Sequence, residues 1–261
     1  MEDLSNLPVY ISYGGGVQTF GMLLMVKNGL IDKPLGLIFS DTKAEYPETY
    51  SHIEEVVKPM CEALEIPFIT LVHEEGIIEG YKEKNSIPLA GFRSCTMKYK
   101  VDPIRKFLRE QVEGKRYGKP KVRVLIGIST DEAKRAISPK DQKPKWIRNE
   151  YPFLEMDYSR RQIIEYINEN KMAVPRKSGC FICPYHGLKG FVELKTNYPD
   201  LMKIAIEMEQ LYFEHRPERK HGFLSDSQIK LKELSEIPSL YSFVDQLPDE
   251  HRECESGGCF L

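Results

Sequence analysis

The sequence predicts an α/β protein built on a doubly wound parallel sheet. Two observations indicate it: short apolar, β-rich runs alternate with helical patterns, and a glycine triplet follows the first run. Buried strands separated by helices are typical of a parallel sheet covered on both faces, in which ligands bind beyond the carboxyl ends of the strands. We therefore expect the loops after Tyr13, Phe39 and Ile126 to meet at one site.

The apolar pattern places each element in order along the chain. We predict strands over residues 9–13, 35–39, 68–72 and 122–126. We predict helices over residues 20–26, 47–64, 101–111, 160–168, 188–197 and 200–215. Pro47 suits the first turn of its helix because its missing N–H would have no partner there. Cys61, in the same helix, is expected to be a core residue.

Composition and charge exclude several classes of protein. The 261 residues are 41% hydrophobic, and the net charge of −2 argues against bulk electrostatic attachment to nucleic acid, leaving only a local basic groove for such contact. No apolar run is long enough to span a membrane, and the first three residues lack the features of a signal peptide. We therefore expect a cytoplasmic protein with no membrane partner, in which the clustered cysteines indicate metal or redox chemistry rather than a disulfide framework.

A glycine-rich loop between the first strand and the first helix is a candidate nucleotide site. Its glycines let the backbone approach phosphates, and the following helix adds the positive end of its dipole. Gln18 and Thr19 carry side chains that can donate to phosphate oxygens. A tight turn is the alternative interpretation, and the loop lacks the Walker pattern. The candidate nucleotide-binding residues here are Ser12, Gly14, Gly15, Gly16, Val17, Gln18 and Thr19.

Asp41 and Thr42 follow the second strand at the same edge of the predicted sheet. They form either a strand-end turn or helix cap, or a contact with the ribose or base of the nucleotide. Farther along, Cys180 and Cys183 form a CxxC motif followed by Pro184. Such a motif is typical of zinc, of an iron–sulfur cluster or of a redox pair.

The residues around Asp41 carry a resemblance to a known family. The segment 40–50, SDTKAEYPETY, resembles the Asp-Thr-Gly…Phe-Pro-Glu-Thr-Tyr signature of the phosphoadenylyl-sulfate (PAPS) reductase family. That family lies in the adenine nucleotide α-hydrolase, or PP-loop ATP pyrophosphatase, superfamily. The loop 16–19 resembles both the reductases' Phe-Gly-Ile-Gln-Ala and the pyrophosphatases' Ser-Gly-Gly-x-Asp-Ser, with Gln18 where Asp is usual and Thr19 in place of Ser.

Further matches follow in the family's order between residues 9 and 186. Residues 95–104 are similar to a Cys-Cys-x-x-Arg-Lys-Val-x-Pro-Leu segment, 127–135 to Gly-Leu-Arg-Arg-Glu-Gln-Ser…Arg, and 151–167 to Pro-Leu-Leu-Asp-Trp…Tyr-Ile. The resemblance implies the family's fold and extends the nucleotide site. Beside the loop residues, the implied nucleotide ligands are Asp41, Thr42, Lys98, Lys100, Gly127, Lys134 and Arg135.

The chain departs from the reductases at two positions. Ser129 and Thr130 stand where those enzymes have two pocket arginines, whose guanidinium forks match sulfate or phosphate oxygens. Their replacement argues against a sulfonucleotide, and the richer glycine loop indicates a bound triphosphate or pyrophosphate. ATP is therefore a candidate substrate beside an adenylyl-sulfate type nucleotide, with Mg²⁺ as a further candidate cofactor.

The resemblance also implies functions for the cysteines. Cys95 matches the first cysteine of the reductases' pair, while Cys180 and Cys183 match their downstream CxxC. Thiolates of Cys95, Cys180 and Cys183 are the implied ligands of a [4Fe–4S] cluster, either with one iron left open or with Cys259 of the tail (residues 251–261) as a fourth ligand. The alternative is a structural zinc site of Cys180, Cys183, Cys254 and Cys259, in which His186 is a possible substitute. Cys254 follows Glu253, like the mobile Glu-Cys-Gly element of the reductases, and is the implied nucleophile.

The resemblance leaves two versions of the activity open. In one, Cys254 attacks a sulfonucleotide, and thioredoxin or a similar thiol releases sulfite. In the other, ATP adenylylates an acceptor such as tRNA or DNA, and sulfur from a donor held at the cluster displaces AMP. We therefore divide the chain into a nucleotide-binding α/β domain (residues 1–175) and a part with the CxxC segment, a helical extension and the tail (residues 176–261).

A hypothesis of a different class is a non-catalytic nucleotide-binding subunit with a structural zinc site, within a nucleic-acid modification or defence complex. A homodimer is a further candidate assembly for either class.

Overall fold

The computed structural model describes residues 4–90, 94–112, 119–137, 144–223 and 229–237. Within them, the strands are β1 (Val9–Tyr13), β2 (Gly36–Asp41), β3 (Phe68–Val72), β4 (Val122–Ile126) and β5 (Ile147–Glu150). The α-helices are α1 (Val17–Lys27), α2 (Pro47–His52), α3 (Lys58–Ala63), α4 (Ile77–Lys82), α5 (Ser94–Thr96), α6 (Asp102–Gln111), α7 (Lys134–Ile137), α8 (Pro152–Glu155), α9 (Arg160–Glu169), α10 (Gly187–Asn197), α11 (Pro199–Glu214) and α12 (Leu231–Glu236).

The strands form one parallel sheet in the order β3-β2-β1-β4-β5. Strand β1 lies in the middle, with Tyr10 opposite Gly36 of β2 on one side and Val124 of β4 on the other. The chain winds outward from β1 in both directions, so the loops after β1 and β4 flank the point where the strand order reverses. This topology confirms the predicted fold class and brings the loops after β1, β2 and β4 to neighbouring positions.

Alternate residues of the central strands enter two separate cores. In β1, Ile11 and Tyr13 pack against α1 and α9, whereas Tyr10 faces the opposite core with Ile104 and Leu108 of α6. Because both faces of the sheet are covered, successive residues of the strand are buried rather than alternating between buried and exposed. Cys61 is buried in the first core, as expected.

A third core lies beyond the sheet, where the C-terminal helices pack on the loops that follow β2. Phe191 of α10, Met208 of α11 and Leu231 of α12 share this cluster with Ala44 and Tyr46, which precede α2. Residues on both sides of position 175 therefore build one core. The division into two domains at that position stays a prediction.

Several elements differ from the sequence-based expectations. The strand expected over 35–39 runs from Gly36 to Asp41, and the helix expected over 47–64 contains a π-helical turn at Ile53–Val57 between α2 and α3. A second π-helical turn, Met97–Val101, precedes α6. Strand β5 and helices α4 and α12 were not predicted. In the part of the chain that the structure describes, no helix combines the length and apolar character needed to cross a membrane.

Candidate functional site

The glycine loop after β1 is shaped by two close contacts from other parts of the chain. A β-carbon on Gly15, whose φ is +76°, would lie 2.8 Å from Cγ2 of Thr49. A β-carbon on Gly16 would lie 2.8 Å from Oγ of Ser178. The glycines are therefore required by protein packing, in addition to the approach of phosphates for which the sequence suggested them.

Thr19 closes the loop from within. Its hydroxyl donates to the carbonyl oxygen of Gly16 at 3.2 Å and accepts from the Gly14 N–H at 3.3 Å. Thr19 is almost fully buried, so this hydroxyl braces the loop, and its donation to a phosphate stays a prediction. The Val17 side chain likewise lies in the core, which leaves its backbone N–H as the group available to a ligand.

The remaining loop residues place polar groups around the N-terminus of α1. Gly16 is the N-cap residue of α1, and no described side chain caps the helix there. The Gln18 amide donates to Oε2 of Glu132 at 3.4 Å, which joins this loop to the one after β4. Ser12 is buried within β1, opposite Ile126. An uncapped helix start carries unpaired N–H groups and the positive end of the helix dipole.

The loop after β4 lies directly on the glycine loop. A β-carbon on Gly127 would lie 3.0 Å from Cγ2 of Thr19 and 3.2 Å from its backbone nitrogen. Ser129 is fully buried, and its hydroxyl has no hydrogen-bond partner among the described residues. Arg135 is buried and pairs with Glu132 at 2.6 Å, whereas Lys134 is exposed. The structure thus brings Gly127 and Arg135 to the predicted site.

Asp41 and Thr42 organise the end of β2. Oδ1 of Asp41 accepts from the Tyr50 hydroxyl at 2.7 Å and from the Lys43 N–H at 2.8 Å, which is the arrangement of a strand-end turn. The hydroxyl of Thr42 lies 3.1 Å from Sγ of Cys180. Thr42 therefore contacts the cysteine motif, and a ribose contact for either residue stays a prediction.

Cys180 docks beside this turn as part of a short extended segment. It forms an antiparallel bridge with Glu45, and the Phe181 N–H donates to the Ala44 carbonyl oxygen at 2.9 Å. The Cys183 N–H donates to the carbonyl oxygen of Cys180 at 3.0 Å, which closes a tight CxxC turn. Burial raises the pKa of the Cys180 thiol, and the nearby Glu45 carboxylate raises it further.

Glu45 is a site residue that sequence reasoning missed. Its buried carboxylate accepts from the Gly179 N–H at 2.8 Å and from Lys100 Nζ at 3.1 Å, and the Cys180 thiol donates to it at 3.8 Å. It therefore joins the cysteine segment to the segment before α6. Its place between Ala44 and Tyr46 in the sequence gave no sign of this function, because the partners come from distant segments.

The other predicted lysine is held apart from Lys100. Lys98 pairs with Glu75 on the loop after β3, and its Nζ lies 4.9 Å from the centre of the Tyr99 ring. The Glu75 hydrogen bond raises the pKa of Lys98, so this lysine stays charged at neutral pH. Lys98 and Lys100 both belong to the matched segment 95–104, but they contact different acidic partners.

Arg176 fastens the start of the cysteine segment. Its guanidinium carbon lies 3.8 Å from the centre of the Tyr46 ring, a cation–π distance. Its two terminal nitrogens contact the Tyr198 hydroxyl at 2.9 Å and the Glu193 carboxylate at 2.8 Å. Tyr198 in turn donates to Glu48 of α2 at 2.5 Å. The segment is thereby tied to α2, α10 and the start of α11.

The predicted metal ligands are only partly assembled. Among residues 4–90, 94–112, 119–137, 144–223 and 229–237, no group of three or more His, Cys, Asp or Glu side chains is close enough to hold a metal ion. Cys95, Cys180 and Cys183 therefore do not form a three-thiolate site in this arrangement. Cys254 and Cys259 lie outside the described residues. The donors among the described residues do not complete a cluster or a zinc site.

The site nevertheless joins two of the predicted features. Ser178, two residues before Cys180, contacts Gly16, and Thr42 at the next strand end contacts the Cys180 thiol. The glycine loop and the CxxC turn therefore lie close together at the carboxyl edge of the sheet. This is the arrangement that the order of motifs in the sequence predicted.

Two uncharacterized proteins of Methanocaldococcus jannaschii are similar to the chain. One is 25% identical over 203 residues, which cover 74% of this chain and 40% of that protein. The other is 24% identical over 245 residues, which cover 89% of this chain and 55% of that protein. The chain spans about half the length of the curated relatives it matches.

Two solved structures are similar to parts of the chain. A phosphoadenylyl-sulfate (PAPS) reductase from Candida auris has a TM-score of 0.44 and 20% identity, covering 66% of this chain and 77% of that one. The U34-tRNA thiolase NcsA from Methanococcus maripaludis, with its [4Fe–4S] cluster, has a TM-score of 0.47 and 17% identity, covering 80% of this chain and 72% of that one.

A family model for the phosphoadenosine phosphosulfate reductase domain matches residues 8–176. The match begins just before β1 and ends at Arg176, so it contains the whole sheet and the glycine loop. It covers well over half of the chain. The chain therefore belongs to the phosphoadenosine phosphosulfate reductase domain family.

Proposed function

We propose that the chain is an enzyme that binds an adenine nucleotide on the loop after β1 and uses it to drive sulfur chemistry at the Cys180–Cys183 turn. The observation that carries this proposal is the packing of Ser178 on Gly16, which brings the CxxC turn close to the glycine loop after β1. Membership of the family supports, in general terms, an enzyme that uses a nucleotide in sulfur chemistry.

Backbone groups and Mg²⁺ would supply the positive charge for the phosphates. The uncapped N-terminus of α1 offers its N–H groups and the positive end of its dipole. Two of the cationic side chains predicted to bind the nucleotide are already in ion pairs, Lys100 with Glu45 and Arg135 with Glu132. A polyphosphate that arrives with its own Mg²⁺ needs less charge from the protein, so this arrangement favours Mg²⁺-bound ATP.

The first step of the proposed reaction is adenylylation. An acceptor oxygen attacks the α-phosphorus of ATP, the bond to the β-phosphate oxygen breaks, and pyrophosphate leaves. A sulfur nucleophile then displaces AMP from the adenylylated acceptor, which exchanges its oxygen for sulfur. Ser129 supports ATP over a sulfonucleotide, because this buried residue stands at a position where a reductase arginine would bind sulfate.

Sulfonucleotide reduction is the second candidate, and the family match favours it. In that reaction a cysteine thiolate, for which Cys254 is the candidate, attacks the sulfur and displaces the nucleotide. The resulting thiosulfonate is cleaved by a dithiol such as thioredoxin, which becomes a disulfide as sulfite leaves. Cys254 lies outside the described residues, so this assignment rests on the sequence alone.

One set of assays separates the candidates. Anaerobically purified protein is incubated with Mg²⁺ and α-labelled ATP, with and without bulk tRNA or DNA, and in parallel with adenylyl sulfate or PAPS plus a dithiol. We expect AMP and pyrophosphate from ATP; sulfite without ATP cleavage would instead establish the reductase. Stoichiometric zinc with neither product would support the non-catalytic subunit, and iron with acid-labile sulfide would establish the cluster as cofactor.

A further inference from the structure

Ser178 is the residue through which the segment that carries Cys180 and Cys183 contacts the glycine loop after β1. Its Oγ lies 2.8 Å from the position of a β-carbon on Gly16. Its Cβ lies 3.6 Å from the corresponding positions on both Gly15 and Gly16. This side chain therefore packs on the two glycines at the start of α1, where the proposed nucleotide would place its phosphates.

The segment that carries Ser178 is anchored on both sides. Upstream, Arg176 is fixed over the Tyr46 ring and by the Glu193 carboxylate. Downstream, the Gly179 N–H and the Cys180 thiol both donate to Glu45. Ser178 stands between these anchors and two residues from the thiol. A displacement of Ser178 must therefore strain either the contacts of Arg176 or the hydrogen bonds to Glu45. The hydrogen bonds to Glu45 are the nearer of the two along the chain, and they hold Cys180.

We propose that Ser178 is a positioning residue that couples occupancy of the phosphate loop to the placement of the Cys180 thiol. This inference rests on the proposed function and deepens it. Phosphate oxygens at the start of α1 either accept a hydrogen bond from the Ser178 hydroxyl or displace it, and both changes act on the Gly179–Cys180 segment. Because coupling between two sites is reciprocal, the same contact transmits a change at the CxxC turn to nucleotide affinity.

Hydrogen exchange on the full chain tests the coupling. The probe is the α,β-methylene analogue of ATP with Mg²⁺, which cannot be cleaved between the α- and β-phosphates. We expect it to slow amide exchange both in peptides covering residues 12–20 and in peptides covering 174–186. In Ser178→Ala the first effect should remain and the second should disappear. Ser178→Thr keeps the hydroxyl and should restore it.

Affinity measurements give the reciprocal readout. We expect the dissociation constant of the analogue to rise about 5- to 10-fold in Ser178→Ala, a change within the usual range of coupling between sites. Ser178→Thr should lie close to the original value. Ser235→Ala is the matched control, because this half-buried serine in α12 donates only locally, to the Lys232 carbonyl oxygen, among the described contacts.

Each contrary result has a distinct meaning. Protection of residues 12–20 without protection of 174–186 in the unmodified chain would overturn the coupling and leave the proposed function standing. Equal protection of both segments in Ser178→Ala would overturn the assignment to Ser178. Protection of neither segment would refute nucleotide binding itself, and the coupling with it.

Discussion

Glu209 carries a buried carboxylate whose two oxygens each accept a backbone hydrogen bond. Oε1 accepts from the Phe223 N–H at 2.9 Å and Oε2 from the Leu231 N–H at 2.6 Å. The residue thereby joins α11 to Phe223 and to Leu231, the first residue of α12. Buried N–H groups are costly when left without a partner, so one side chain here fixes two stretches of backbone.

Replacing Glu209 by Leu should reveal that dependence. The substitution keeps a helix-forming side chain but removes both acceptors, and two unpaired N–H groups should lower the free energy of unfolding by about 2–4 kcal/mol. Glu207→Leu is the control, since Glu207 is exposed and makes a surface ion pair with Lys82 worth less than about 1 kcal/mol. Urea unfolding of the three proteins measures the difference, and equal losses for both variants would contradict it.

The pH dependence of the same variant follows from burial. Burial raises the pKa of Glu209 above that of an unfolded glutamate, so the folded chain binds the proton more tightly. Its contribution to stability is therefore greatest at low pH and falls as the pH rises through the folded-state pKa. The difference in free energy of unfolding between the original chain and Glu209→Leu should therefore become smaller as the pH rises from about 4. A gap that widens with pH would show that the backbone hydrogen bonds outweigh burial.

The tertiary partners of individual site residues could not be predicted from the sequence. Gly15 and Gly16 were recognised, but the reason for two glycines includes contacts with Thr49 and Ser178, which are distant in sequence. Thr19 was expected to face phosphate, yet its hydroxyl braces the loop. Glu45 was missed, because a buried carboxylate is recognised by its partners rather than by its neighbours.

Two glycine substitutions test whether the loop after β1 contacts the nucleotide. Gly15→Ala and Gly29→Ala both place a side chain at positive φ, +76° and +72°, and share a strain of about 1–2 kcal/mol. Only the first adds a contact of 2.8 Å with Thr49, since nothing lies within 4 Å of a β-carbon on Gly29. We expect nucleotide affinity to fall about tenfold, or about 1.4 kcal/mol, in Gly15→Ala alone.

Calorimetry or equilibrium dialysis with the uncleavable ATP analogue measures that effect. Thermal unfolding of both variants reports the shared strain. Equal affinities in the two variants would mean that the loop does not contact the nucleotide.

Helix α9 depends on a capping box. The Ser159 hydroxyl accepts from the Gln162 N–H at 3.3 Å, and the Gln162 side chain accepts from the Ser159 N–H at 2.9 Å. Ser159→Ala should lower the free energy of unfolding by about 1 kcal/mol. Ser235→Ala should change it little, because Ser235 is not one of the two residues that form the capping box of its own helix, α12. A loss confined to Ser235→Ala would contradict this account of α9.

The sequence predicted the apolar elements well and the polar ones poorly. Strands β1, β3 and β4 have the predicted bounds because turn or loop residues flank each of these strands on both sides in the sequence. Strand β5 was missed because its sequence, Ile-Arg-Asn-Glu, is polar; it pairs with β4, and Arg123 binds Glu150 through two hydrogen bonds at 2.9 and 2.8 Å. The π-helical turns carry no sequence signal of their own.

For the molecule as a whole, the order of the strands brought the site together. Alternation of strands and helices was enough to predict that the loops after β1, β2 and β4 share an edge of the sheet. It could not predict which cysteines gather there, because Cys180 reaches the edge through its bridge to Glu45, and Cys95 comes from a segment with a π-helical turn. The gathering of a third thiol stays a prediction.

The shared third core predicts that residues 1–175 do not fold well alone. Removal of 176–261 would expose Ala44, Tyr46 and Ile77, which pack against Phe181, Phe191 and Met208. We expect such a fragment to unfold at lower temperature, to bind a hydrophobic dye and to aggregate more readily than the full chain. Light scattering and thermal unfolding measure this. Cooperative unfolding near the temperature of the full chain would instead establish an autonomous domain.

The close packing of Ser178 on Gly16, where a β-carbon on the glycine would lie only 2.8 Å from the serine Oγ, also constrains how relatives can diverge. Two positions more than a hundred and fifty residues apart in the chain compete for one small volume, so substitutions at them cannot accumulate independently. A lineage that gains a methyl group at position 16 must lose atoms at position 178, or move the segment that carries Ser178 and the Cys180 thiol. An alignment of many homologues should therefore show these two columns changing together.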